Sequence, residues 1–127
     1  MLDFIKNKRN KYNIREEDLD NFLLILNNII KILNNAEHNA QSGFINKLIN
    51  LVIQKETSLF IELVNGIEMW GGAGAVWEVY IDNKEDAKSF KKEILNLINL
   101  MDDTNILGKG IKPIRRLFEK DLKSFNS

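Results

Sequence analysis

A chain of 127 residues carries 18 Lys and Arg against 18 Asp and Glu, with no cysteine. That length suits one domain (residues 1–127) with a sizeable core, the missing thiols exclude disulfides, thiolate zinc sites and thiol nucleophiles, and the zero net charge excludes an overall positive field that would draw the chain onto nucleic acid or anionic lipid. No stretch approaches the ~18 apolar residues of a membrane span and the opening MLDFIKNKRNKYNIREED lacks a signal-peptide core, so a cytoplasmic protein with no membrane partner is expected.

In chain order, a basic lead-in (Leu2 to Lys11) is compatible with one amphipathic helix, and Asn13 is the expected N-cap of the next. Glu16, Glu17 and Asp18 then favour the positive end of a helix dipole. Leu19, Phe22, Leu23, Leu26, Ile29, Ile30 and Leu33 recur at steps of three and four, the pattern of a central buried helix. NNAEHNAQSG reads as a polar loop before a second helix carrying Phe44, Ile45, Leu48, Leu51 and Val52, antiparallel to the first. In KETSLFIELVNG, Thr57 or Ser58 caps a short helix that stops at Asn65-Gly66. VWEVYI is β-branched, aromatic and partly alternating, which predicts a short strand at Val76–Ile81. Asp82 or Asn83 caps the next helix, with Ala87, Phe90, Ile94, Leu97, Ile98 and Met101 on its inner face and its end near Asp102-Asp103. After the loop NILGKG, Pro113 opens a last helix bearing Ile114, Leu117, Phe118 and Phe125. The expected architecture is mainly α: a compact bundle of about five helices with one short β element after a glycine-rich turn.

The segment NGIEMWGGAGAVWEVYID places three of seven glycines between the only two tryptophans. A phosphate-binding reading fails on spacing. Trp77 stands where a dinucleotide fingerprint needs its third glycine, and LGKGIKP puts Gly110 where a P-loop needs a hydroxyl residue. Turns at Gly71, Gly72 and Gly74 instead let the backbone reverse beneath Trp70 and Trp77. If Trp77, Val79 and Ile81 point inward, Glu78 and Tyr80 point outward by the strand period of two. Trp70 directly precedes the turn, where an indole on a rigid, half-wet ledge is the usual anchor of a protein interface. The candidate partner-binding set is therefore Glu68, Trp70, Gly71, Gly72, Gly74, Glu78, Tyr80 and Asp82, with burial of both tryptophans as ordinary core as the competing reading.

MWGGAGAVWEVYID, followed by ILGKGIKPIRRLF, resembles a signature of small bacterial proteins, some of them encoded beside polymorphic toxins as candidate immunity proteins. The resemblance covers roughly residues 66 to 118 and implies a partner-binding antidote rather than an enzyme. No catalytic assignment is attached to it.

Other constellations are weaker. His38 is the sole histidine and lies among polar residues, so neither a His-rich metal site nor a triad can be built on it. Glu62, Glu68, Glu78 and Asp82 offer oxygen ligands for magnesium without a spacing that demands it. Lys6, Lys8, Arg9, Lys11 and Arg15 at the start, and Lys109, Lys112, Arg115 and Arg116 near the end, would grip a nucleic-acid backbone if they shared a face. A solvated surface, with Arg115 paired to Glu119 one turn later, is the preferred reading. The expectation is a stoichiometric binding protein that occludes the active site of a cognate toxin, with no catalytic, cofactor-binding or metal-binding residues and nucleic acid disfavoured as a partner. The alternatives are a small metal-dependent enzyme using carboxylates near the glycine loop, and a nucleic-acid-binding module.

Overall fold

The computed structural model describes residues 14–126, with the side chain of Asn126 left aside. The predicted lead-in helix, the cap at Asn13 and the first four cations of the N-terminal cluster lie outside these residues. Helix α1 spans Glu16–Asn35, α2 Asn39–Ile53, α3 Thr57–Val64, the single turn α4 Ile67–Trp70, α5 Lys84–Asp103 and α6 Lys112–Asn126, with 3₁₀ turns at Val76–Glu78 and Lys109–Ile111. The mainly α class holds, with five helices of eight residues or more.

The start of α1 follows from its acidic first turn. The Asp18 carboxylate accepts from the backbone N–H of Arg15 at 2.9 Å, and the Arg15 guanidinium stands 3.6 Å away, which explains an acid that is only 7% exposed. Phe22, Leu26, Ile29 and Leu33 then form one fully buried stripe. α2 packs beside it and antiparallel, as the 2.8 Å pair between Lys55, just past the end of α2, and Glu16 at the start of α1 fixes. That hydrogen bond and the charge of Glu16 raise the Lys55 ammonium above its ordinary pKa. α3 lays Phe60 edge-on against Phe22, the ring centroids 5.1 Å apart at 73°. α5 covers the other flank of α1, its buried face made of Phe90, Ile94, Leu97, Ile98 and Met101. Asn83 caps it by accepting from the Asp86 N–H at 2.9 Å. α6 returns antiparallel along α5, tied by Arg115 to Asp102 at 3.0 Å and by Lys91 to Asp121 at 3.1 Å.

The β element is not seen, and this corrects the sequence reading. Val76–Glu78 winds into a 3₁₀ turn, and the following residues run extended without strand pairing. A strand requires a partner ladder, and no second extended segment among the described residues supplies one. The inside-outside alternation nevertheless survives over residues 77–81: Trp77 and Val79 are half-buried and Ile81 buried, while Glu78 and Tyr80 are exposed.

The expected polar loop NNAEHNAQSG is also shorter than its composition suggests. Only Ala36–His38 lies outside helix. The chain turns there through Glu37 in the left-handed region (φ 62°), and the backbone N–H groups of Glu37 and His38 close on Asn34 O and Leu33 O, a Schellman cap built without glycine. The hydroxyl of Ser42, in the first turns of α2, donates to the Asn34 side chain. Residues that look like a loop are thus the start of α2.

Candidate protein-binding surface around the glycine loop

The two tryptophans are held by the same device. The indole N–H of Trp70 donates to the carbonyl of Val64 at 2.6 Å, and that of Trp77 to the carbonyl of Gly71 at 2.8 Å, each reaching back six residues. Val64 is the last residue of α3, so Trp70 satisfies one of the carbonyls that a helix end leaves without an intrahelical partner. Both rings are half-buried and pack on the core, and Trp77 meets Phe118 of α6 edge-on at 6.3 Å. The polar handle of each indole is consumed internally, so Trp70 is positioned as a brace of the loop more than as a free ledge.

Two of the three glycines have a physical reason. A Cβ on Gly71 would lie 2.6 Å from the Ile67 carbonyl oxygen, and Gly74 adopts φ +89°. A Cβ on Gly72 would meet nothing within 4 Å. The loop is clamped from α2 and the residue before it. Gln41 donates its amide N–H to Gly74 O at 2.9 Å, and the His38 Nε2 sits 2.6 Å from Tyr80 O. His38 therefore joins the loop to the start of α2, a role its polar sequence neighbours conceal. On the far side, Asn65 donates to the Ile61 and Ile106 carbonyls and accepts from the Gly108 N–H, all at 2.8–2.9 Å, locking the end of α3 to the turn before α6.

What this frame presents to solvent differs from the set expected at the tryptophan. Ile67, on the turn just before Trp70, is 83% exposed, and Tyr80 is 75% exposed. Glu68, Glu78 and Asp82 are exposed as well. The Tyr80 hydroxyl lies 3.4 Å from Asp82 Oδ1. Two hollows flank the loop. One, of about 290 Å³, is bounded by Ile67, Glu68, Gly74, Gln41 and Phe44. The other, of about 260 Å³, lies between the 77–81 segment, α5 and α6, with Trp77, Tyr80, Phe90, Phe118 and Phe125 on its walls. The expected residues are thus divided: Glu68 and Gly74 border the first hollow, Tyr80 the second, and Trp70 with Gly71 supports the loop from within. Ile67 carries no sequence signal, since an isolated isoleucine after Asn65-Gly66 reads equally well as core.

No protein-family model matches this chain, and no curated protein and no solved structure is significantly similar to it. Among the described residues no three His, Asp or Glu side chains converge to hold a metal ion. None of the described helices is long and apolar enough to cross a membrane. The loop thus presents two exposed apolar side chains, Ile67 and Tyr80, and the exposed carboxylates of Glu68, Glu78 and Asp82 on a backbone fixed at several points.

Proposed function

We propose that this chain is a stoichiometric protein-binding protein, and specifically an immunity protein of the cytoplasm that neutralises a cognate bacterial toxin by covering its active site. The observation that carries the binding role is the presence of Ile67 and Tyr80, the two most exposed large apolar side chains among the described residues, on a loop whose tryptophans and carbonyls are pinned from behind. A surface already rigid loses little conformational entropy on association. The toxin as partner rests on the likeness of residues 66 to 118 to candidate immunity proteins. An interface of about 1,600 Å² in total would span the loop, and Glu68, Glu78 and Asp82 at its rim would speed encounter with a basic substrate cleft.

The test is capture of the product of the adjacent gene by the purified chain, followed by titration calorimetry. Ile67→Ala and Tyr80→Ala are each expected to weaken binding by at least ~2 kcal/mol while leaving the melting temperature in place. Absence of any complex, or equal affinity in both variants, overturns the assignment.

A further inference from the structure

The structure regroups the C-terminal cations. Arg115, expected to pair with Glu119 one turn later, instead turns inward to Asp102 of α5, which the antiparallel packing of α6 brings alongside, and Lys91 of α5 holds Asp121. With those two pairs fixing its rotation, α6 presents Lys112, Arg116, Lys120 and Lys123 along its outer edge, at steps of four, four and three residues. All four are exposed, and none makes an ion pair among the described residues. Glu119 is the one acid along that edge.

We infer that this edge of α6 binds the phosphate backbone of a nucleic-acid duplex, independently of base sequence and apart from the protein-binding surface around the glycine loop. The four charges lie in a row about 16 Å long, one every 4–6 Å of helix axis. Their complement is a linear polyanion, and each strand of a duplex supplies a phosphate every ~3.4 Å. A lipid surface would reward apolar insertion, but α6 spends Phe118 and Ile114 on the core and leaves Leu117 as its one exposed large apolar side chain among the described residues, too little for insertion. Single strands are gripped by aromatic stacking, and this edge carries no aromatic ring. The zero net charge of the whole chain keeps the contact local to the strip.

Fluorescence anisotropy with an end-labelled 20-bp DNA duplex of mixed sequence tests this. Four phosphate contacts predict affinity falling about 100-fold between 50 and 200 mM NaCl, with the same affinity for a second, unrelated sequence. Replacing all four cations by Gln should weaken binding at 50 mM at least 30-fold, with circular dichroism unchanged. The milder pair Arg116→Gln/Lys123→Gln, chosen in case the fourfold variant is unstable, should lower the log–log salt slope by about 2. The control Lys31→Gln/Lys47→Gln, on exposed positions of α1 and α2, should bind as the parent does. No saturable binding at 50 mM, an unaltered salt slope in the pair variant, or tighter binding to phosphatidylserine vesicles or poly-glutamate than to the duplex would overturn the inference.

Discussion

At the scale of single residues, the glycine loop separates three positions that look alike in sequence. Gly71→Ala drives a Cβ into the Ile67 carbonyl and is expected to cost about 1–3 kcal/mol, as other overpacked sites do. Gly74→Ala strains a left-handed residue and should cost about 1 kcal/mol. Gly72→Ala meets nothing and should stay within about 0.5 kcal/mol of the parent. Urea denaturation of the three variants checks the order, and a Gly72 variant as unstable as the Gly71 one would contradict it. Trp70→Phe keeps most of the packing but strands the Val64 carbonyl, so a loss of about 1–2 kcal/mol is expected with no change in the slope against denaturant. The residue types at these positions were legible in the sequence. Their separate reasons were not, because a glycine needed for close approach and one needed for nothing have the same letter.

At the scale of elements, three helices end by one device. α1, α2 and α5 each place a non-glycine residue in the left-handed region just beyond the cap: Glu37 (φ 62°), Lys55 (φ 58°) and Asn105 (φ 61°). In each, the next backbone N–H reaches back to close the turn, His38 on Leu33, Glu56 on Leu51 and Ile106 on Met101, all at 2.9 Å. A side chain with a Cβ pays about 1–2 kcal/mol there, part of which glycine returns as unfolded-state entropy. Glu37→Gly is therefore expected to stabilise by about 0.5–1 kcal/mol and Asn105→Gly by less, because Asn tolerates the conformation, whereas Lys55→Gly also removes the ion pair with Glu16 and should gain less than Glu37→Gly. Differential scanning calorimetry on the single and combined variants measures this, and a lower melting temperature for Glu37→Gly would refute it. These caps also hide the end of α1 in the sequence. The usual stop signal is glycine, and here it is absent, so the polar residues after Asn35 pass for a long loop. The N-terminus of α5 is the opposite case. The sequence narrows the cap to Asp82 or Asn83, the structure selects Asn83, and Asn83→Ala should cost about 1 kcal/mol.

At the scale of the whole molecule, α1 is the hub, with α2 and α5 on its flanks, α3 closing on it through Phe60, and α6 outermost on α5. Phe22 and Phe60 are 0% and 1% exposed and join helices distant in sequence, so Phe22→Ala should cost about 3–5 kcal/mol, readable as a lower midpoint in urea. The two faces assigned to partners lie at the periphery of this hub. That placement lets binding variants at Ile67, Tyr80 or the cationic edge be separated experimentally from folding variants, since surface substitutions shift stability by only about 0.5 kcal/mol.

The periodic apolar stripes of α1, α2, α5 and α6, a cap at Asp82 or Asn83 and the stop at Asn65-Gly66 are local properties, and the sequence by itself determined them. Tertiary structure decided which β-favouring segment lacked a ladder partner, where the two indole N–H groups found acceptors, and which cations of α6 were left facing water. Each of these depends on what a distant part of the chain brings alongside, and the residue pattern within any one segment carries no record of its neighbour.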